Sequence, residues 1–262
     1  MISILGIPLD ENSSFLKGTA KAPRLIMDAF HSDASNMFSE NGVNCADPNT
    51  ITDLGDMQLF TGELSMVSIR KTVQKELNHG QKVISLGGDH SVTFPIIQAY
   101  SQSYPNLNIF HVDAHPDLYD NFENNPYSHA SPFARIMENG LVKRLVQVGI
   151  RTLNDHQKEQ VERFGVEVIE MRDFDSSISL SFDGPVYVSI DLDGLDPAFA
   201  PGVSHHEPGG LSSRELINLI HHMDGQVVGG DIVEFNPDRD INDITATVSA
   251  KLLKELIGKI IK

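Results

Sequence analysis

Several features are scarce or missing in this chain of 262 residues, and each shortage excludes something. Cys45 is the only cysteine, so neither an intrachain disulfide nor a cysteine-rich zinc site is possible. Basic residues are few, because 20 Lys and Arg stand against 36 Asp and Glu, which gives a net charge of −16 at pH 7. A chain this acidic is a poor ligand for nucleic acid or an anionic membrane, and we expect neither partner.

Long apolar runs are also missing, since none approaches the roughly 20 residues of a membrane span. Residues 1–8 have the pattern of a first strand and lack the basic region and longer apolar core of a targeting segment. Cys45 lies in a polar stretch and is interpreted as a bystander, and a single cysteine fits a reducing compartment. These features together predict a cytoplasmic protein.

Short apolar runs alternate with helical patterns along the chain. Most of these runs are continuously apolar, which is typical of strands buried on both faces of a parallel sheet. The alternation predicts an α/β fold, in which helices cover both faces of a doubly wound, mostly parallel sheet. No linker or repeat interrupts it, so residues 1–262 are expected to form a single domain. The predicted strands are 2–7, 83–86, 109–112, 145–149, 166–169, 186–190 and 227–233, and the predicted helices are 22–30, 63–78, 92–102, 132–139, 155–163, 212–222 and 243–261.

The most informative segment is residues 111–117, at the end of a predicted strand. Side chains at alternate positions of an extended chain point to the same face, so Asp113, His115 and Asp117 can converge on one point. Two acids and an imidazole aimed together favour a metal ion.

Two other segments, residues 87–90 and 189–197, carry metal-ligand types just past predicted strands. Ligand sites in open α/β sheets form at such strand ends, so the three segments are expected to meet. Two imidazoles and four carboxylates are too many for one tetrahedral zinc and suit two harder ions with bridging carboxylates, with Mn²⁺ favoured over zinc. The six candidate ligands are His90, Asp113, His115, Asp117, Asp191 and Asp193.

Each segment alone also has a simpler explanation, because an acid or histidine after a strand is usually a cap or a surface residue. Asp89 is interpreted as a partner of a metal ligand, and Asp196 as the start of a turn. A dinucleotide site at residues 87–91 is disfavoured, since the glycine spacing is wrong and Asp89 stands where pyrophosphate would bind.

The Gly-Gly-Asp-His, Asp-Ala-His-x-Asp and Ser-x-Asp-x-Asp-x-x-Asp-Pro blocks occur here in the order found in ureohydrolases. The chain resembles that family, which contains arginases, agmatinases and related amidinohydrolases, over nearly its whole length. It most resembles plant arginases, through residues 12–16, 127–131, 132–138, 196–205 and 233–237. The resemblance implies an arginase-like fold over residues 1–262, two Mn²⁺ per subunit and a homotrimer or homohexamer.

The resemblance also implies roles for individual residues. It places His90, Asp113, Asp117 and Asp191 around one ion and His115, Asp113, Asp191 and Asp193 around the other, with a bridging hydroxide that also bonds Asp117. Glu234 would pair with the substrate guanidinium, and His129 would pass a proton to the leaving amine. Considered alone, Glu234 is an ordinary acid at a strand end and His129 a surface histidine.

The chain departs from many arginases at positions near the substrate. Tyr119 replaces an asparagine that reads the substrate carboxylate, and Asn154 replaces an acid near the substrate amine. His205 and His206 replace a Thr-Pro pair, and His205 either contacts substrate or stiffens its loop. The predicted reaction is hydrolysis of L-arginine to L-ornithine and urea. Agmatine, a guanidino acid or peptidyl arginine remain alternative substrates, and a one-metal deacetylase or a non-catalytic metal-binding protein remain alternative functions.

Overall fold

The chain alternates between eight strands and seven α-helices in the computed structural model, which describes all of residues 1–262. The strands are β1 (Ile2–Ile7), β2 (Ile51–Asp56), β3 (Lys82–Gly87), β4 (Asn108–Val112), β5 (Arg144–Ile150), β6 (Glu167–Glu170), β7 (Ser181–Asp191) and β8 (Asp224–Val233). The helices are α1 (Ala22–Phe30), α2 (Glu63–Asn78), α3 (Thr93–Ser103), α4 (Pro132–Glu138), α5 (Asp155–Phe164), α6 (Ser213–His222) and α7 (Ile244–Ile261).

All eight strands belong to one sheet, in the order β2-β1-β3-β8-β7-β4-β5-β6, and every strand pairing is parallel. The predicted α/β fold is confirmed, and each of the predicted strands and helices overlaps an observed one. The sequence pattern missed β2, an edge strand whose residues from Thr52 to Asp56 are exposed. Such a strand lacks the apolar run that buried strands show.

Helices cover both faces of the sheet, because side chains of the central strands alternate between two hydrophobic cores. On β7, Val186 and Val188 join the core under α1, α6 and α7, whereas Tyr187 joins the core under α2, α3 and α4. Both sets are buried, so the strand ends are where polar side chains of the central strands can reach a pocket. The carboxyl ends, which all lie at one edge of a parallel sheet, are therefore free to carry polar chemistry.

The last helix, α7, covers the sheet of its own chain. Ile257 is fully buried in the core that also contains α1 and α6, while Ile261 at the end of the helix is half exposed. None of the helices is long and apolar enough to cross a membrane. The start of α6 has the predicted capping box, in which the Ser212 hydroxyl and the Glu215 carboxylate each bond the other's backbone amide.

Candidate metal centre and active site

Four adjacent strands deliver the candidate site residues to one place. In sheet order these are β3, followed by His90; β8, followed by Glu234; β7, which ends in Asp191; and β4, followed by Asp113. The three ligand-bearing segments found in the sequence therefore meet at the carboxyl edge of the sheet, as expected.

His90 lies at the centre of three carboxylates. Its Nδ1 is 3.1 Å from Asp117 Oδ2, 3.1 Å from Asp191 Oδ2 and 3.3 Å from Asp113 Oδ2. The imidazole is fully buried, and Nδ1 makes no hydrogen bond of acceptable geometry. A buried polar atom without a partner is destabilising unless a ligand satisfies it.

Asp113 connects this group to a second one. While Oδ2 faces His90, Oδ1 is 3.3 Å from His115 Nδ1, which is itself 3.2 Å from Asp193 Oδ2. The two oxygens of one buried carboxylate thus face two different imidazoles, which is the arrangement required of a bridging ligand. The structure brings together all six predicted ligands in the two overlapping groups.

The donor set fits divalent cations. Four buried or nearly buried carboxylates and two imidazoles meet here, and no Lys or Arg lines the pocket around them. Two divalent ions would neutralise four carboxylates, and carboxylate oxygen with imidazole nitrogen suits Mn²⁺. Together with the unpartnered His90 Nδ1, this composition shows a site in which metal ions can be held.

Two of these carboxyl groups illustrate the effect of burial without a Lys or Arg partner. Burial and the neighbouring Asp113 raise the pKa of Asp117 to about 7. Burial, together with Asp193 and Asp113, also raises the pKa of Asp191 well above its ordinary value. The negative forms of both groups are disfavoured in the metal-free protein, which is what a bound cation would reverse.

The far side of His90 is held by a buried chain of hydrogen bonds that the sequence reading missed. His90 Nε2 lies 3.0 Å from Ser189 Oγ, whose hydroxyl donates to Asp231 Oδ1 at 2.6 Å. Asp231 Oδ2 also accepts from Tyr187 and Thr93. The available signal was Asp231 itself, an acid within the apolar run of β8. Such partners orient a ligating imidazole.

His111 supports Asp113 in a similar way. Gln147 Nε2 lies 3.0 Å from His111 Nδ1, and His111 Nε2 lies 3.0 Å from Asp113 Oδ2. Since an amide nitrogen only donates, His111 carries its proton on Nε2 and gives that hydrogen bond to Asp113. Burial lowers the pKa of His111 to about 4 although Asp113 acts in the opposite direction, so the ring stays neutral.

Glu234 and His129 form a pair beside the carboxylates. His129 Nδ1 is 2.8 Å from Glu234 Oε1, which also accepts the His90 backbone N–H at 2.9 Å. Burial lowers the pKa of His129, but the Glu234 carboxylate outweighs this and raises the pKa to about 9. Oε2 of Glu234 makes no hydrogen bond within the chain, and Glu234 lines the pocket.

Two site residues have strained backbones. Asp117 has φ of 50° and Glu234 has φ of 65°, in the left-handed region that side chains other than glycine rarely adopt. Such conformations persist where the surrounding structure enforces them, and they concentrate at functional sites. In both cases the strained residue is one that the sequence pointed to for chemistry.

The loop at residues 10–18 closes over the His129 side of the site. Asn12 N–H donates to Asp89 Oδ2 at 3.0 Å, and His129 N–H donates to the Asn12 carbonyl at 3.2 Å. The Leu9 carbonyl accepts from Asp89 N–H at 2.7 Å, and a Cβ at Gly88 would overlap that oxygen. Glycine is therefore required for this contact, and Asp89 holds a loop rather than a phosphate.

A pocket of about 260 Å³ opens onto the carboxylates. Its lining includes four of the six predicted metal ligands, together with the aromatic residues Tyr119 and Phe122 and with His205 and Glu207. The lining residues are Ser14, His115, Asp117, Tyr119, Phe122, His129, Ala130, Thr152, Gln157, Asp191, Asp193, His205, Glu207 and Glu234.

The remaining predicted residues separate into two groups. The His205 ring lines the pocket, 5.7 Å from the His115 ring and 5.6 Å from the His129 ring between centroids. Asn154 is not among the lining residues: its Oδ1 caps α5 by accepting from Gln157 N–H, and its Nδ2 donates to the Tyr119 hydroxyl. His206 bonds the Pro201 carbonyl and is not among the lining residues.

Comparison with known proteins assigns this chain to a family. Residues 1–258 match the sequence profile described as the arginase family. This chain belongs to the arginase family. It is 46% identical to the mitochondrial arginase of Medicago truncatula, with 99% of this chain and 82% of that protein covered. The family assignment makes the protein an arginase-like ureohydrolase and confirms the resemblance inferred from the sequence.

Two solved structures and one further relative agree with the assignment. The arginase from Medicago truncatula superposes with a TM-score of 0.94 at 46% identity, covering 99% of this chain and 87% of that one. Proclavaminate amidino hydrolase from Streptomyces clavuligerus has a TM-score of 0.84 at 27% identity, covering 99% of this chain and 91% of that one. The N(1)-aminopropylagmatine ureohydrolase of Thermus thermophilus is 33% identical, over 98% of this chain and 89% of that protein.

The predicted cytoplasmic location is contradicted by these relatives. The proteins from Medicago truncatula and Arabidopsis thaliana are named mitochondrial or chloroplastic/mitochondrial arginases. The prediction failed because a single cysteine indicates a reducing compartment and does not distinguish the cytoplasm from other reducing compartments.

Proposed function

We propose that this arginase-family member hydrolyses L-arginine to L-ornithine and urea, using two Mn²⁺ ions in a single domain of residues 1–262. The observation that carries the reaction class is the meeting of two ligand groups through Asp113, beside the Glu234–His129 pair, in one pocket. The choice of arginine rests on 46% identity to plant arginases.

His90, Asp113, Asp117 and Asp191 would hold one ion, and His115, Asp113, Asp191 and Asp193 the other. When bound, such a pair supplies activation of water at neutral pH and polarises the electrophile. The arrangement disfavours a one-metal deacetylase, because a single ion would leave part of a four-carboxylate cluster uncompensated.

The protein's own groups orient the substrate and move protons. Glu234 is ionised, because His129 and the His90 N–H outweigh burial and lower the pKa of its carboxyl group. Its Oε2 is free within the chain and can accept from the planar guanidinium, as carboxylates commonly do. His129, whose charge Glu234 stabilises, is the source of the proton for the leaving amine.

Agmatine is the second candidate substrate, on one specific observation. No Lys or Arg lines the pocket, whereas Glu207 does, so the lining offers no cation to a substrate carboxylate. The relative from Thermus thermophilus is named for aminopropylagmatine, a substrate without that carboxylate.

Urea release from L-arginine, agmatine, 4-guanidinobutyrate and an arginine-containing peptide tests both candidates. We expect the highest kcat/KM with arginine. A higher value with agmatine would transfer the assignment to an agmatinase, and no urea from any of the four would reject the proposed reaction. Metal content of the active protein should be two Mn²⁺ per chain, and one per chain would favour the deacetylase.

A further inference from the structure

Both ring nitrogens of His129 are engaged by protein groups. Nδ1 bonds Glu234 Oε1 at 2.8 Å, while Nε2 lies 2.8 Å from Ser14 Oγ and 3.2 Å from Ser14 N. The residue is only 8% exposed. Ser14, which also lines the pocket, is therefore the protein group next to the ring nitrogen that does not bond Glu234.

The direction of these hydrogen bonds shows what each atom of Ser14 can do. The Glu234 carboxylate only accepts, so Nδ1 carries a hydrogen. The Ser14 backbone N–H only donates, so it bonds Nε2 when that nitrogen has a lone pair. When Nε2 is protonated the amide cannot serve it, and the hydroxyl, which both donates and accepts, is the one Ser14 group that can.

Ser14 is placed to contact both His129 and a molecule in the pocket. It lines the same pocket as Asp117 and Glu234, and it is an exposed residue of the 10–18 loop. Asn12 holds that loop in place, since its N–H donates to Asp89 and its carbonyl accepts from the His129 N–H. Asn125 Nδ2 also donates to Asn12 Oδ1 at 3.0 Å.

We propose that the Ser14 hydroxyl relays the proton between His129 and the leaving nitrogen of the substrate. Nε2–H of the imidazolium gives its proton to Ser14 Oγ while Ser14 Oγ–H gives its own proton to the leaving nitrogen. The carbon–nitrogen bond breaks with its electron pair on that nitrogen. One proton has then moved from His129 to the amine, and Ser14 is unchanged. This relay rests on the proposed ureohydrolase reaction.

The test compares three variants of the metal-loaded protein under single-turnover conditions. Ser14→Ala removes the hydroxyl and keeps the backbone N–H, so we expect the rate constant to fall by about 100-fold or more. Ser14→Thr keeps a hydroxyl at an exposed position and should recover most of the rate. Ser13→Ala, on the same loop, is the matched control and should leave the rate within about twofold, with KM little changed in all three.

Single-turnover rate constants in mixtures of H₂O and D₂O give a second readout. A disturbed conformation of the 10–18 loop alone would not change the shape of this isotope dependence. Two protons in flight predict a bowed dependence on the deuterium fraction for the unaltered protein and a linear one for Ser14→Ala. The relay would be overturned if Ser14→Ala kept a rate within about threefold of that of the unaltered protein. It would also be overturned if Ser14→Thr were no faster than Ser14→Ala, or if the plot for the unaltered protein were linear. Absence of urea release by the unaltered protein would instead reject the underlying reaction, before any variant is made.

Discussion

Two buried groups of acids in this molecule differ in how their charge is compensated. On α7, Glu255 is fully buried, yet Lys251 and His221 bond its two oxygens and the Glu40 N–H lies 3.1 Å from each. At the carboxyl edge of the sheet, Asp113, Asp117, Asp191 and Asp193 have imidazoles as side-chain partners but no Lys or Arg. The first group is complete within the chain, whereas the second needs a cation from outside. This difference separates a structural acid from a metal ligand.

Removal of a metal ligand from the second group should have the largest effect. Asp117→Ala should lose more than about 100-fold in activity and in Mn²⁺ affinity, because loss of a mere partner of a ligand already costs 10- to 100-fold. Urea release and metal analysis measure both losses. Asp120→Ala, an exposed acid three residues along, is the control and should behave as the unaltered protein. Unchanged turnover in Asp117→Ala would contradict the assigned site.

The next test removes the partner behind a ligand. Ser189→Ala deletes the hydroxyl between His90 and Asp231, so the imidazole loses its fixed orientation. Mn²⁺ affinity, measured by titration calorimetry, should fall by roughly 10- to 100-fold. Ser249→Ala removes another buried hydroxyl, one that bonds Thr245 on α7, and should not alter affinity. Equal losses in the two variants would show a general effect on stability.

The difference in charge compensation between the two groups is tested by neutralising one acid of each group in the metal-free protein. Glu255→Gln should lower the free energy of unfolding by about 1–3 kcal/mol, because Lys251 and His221 lose a charged partner. Asp191→Asn should leave that free energy unchanged or raise it, since it removes an uncompensated charge and keeps Oδ1 for the Asp193 N–H. Denaturation in the presence of a chelator gives both values. A destabilised Asp191→Asn would contradict the stated difference.

The smallest effect concerns the rim of the compensated group. Arg214 and Lys251 outweigh slight burial and hold the pKa of Glu40 at about 2, below its usual 4.5. The stabilising contribution is therefore present above pH 4.5 and disappears as the pH falls toward 2. Because exposed ion pairs contribute little to stability, Arg214→Ala should destabilise the protein only slightly at pH 7. The deficit should vanish near pH 2, and a deficit independent of pH would assign the loss to packing.

The sequence predicted the parts of this molecule that have a local signature. The buried strands have continuous apolar runs, and the six candidate ligands follow three of them at recognisable spacings. The exposed edge strand β2 has no such run and was missed. The Ser189–Asp231 chain and the contact between Ser14 and His129 join residues far apart in sequence, so no spacing could indicate them. Asn154 illustrates a further limit, since one residue type both caps helices and reads ligands.

The order of the central strands has a consequence for how the site comes into being. β8 is inserted between β3 and β7, and β4 lies on the far side of β7, so four neighbouring strands span about 14 Å at the usual spacing. The segments they carry are distant along the chain, so residues 113–117 supply three ligands locally but complete neither ligand group without the other segments. A nascent chain that ends before Asp224 has the residues for both ions but not the strand that sets their separation. Fraying of β2 or β6 at the sheet margins leaves the centre intact, whereas withdrawal of β8 parts His90 from Asp191. Binding of both ions therefore depends on the completion of the sheet by β8, the last strand of the chain.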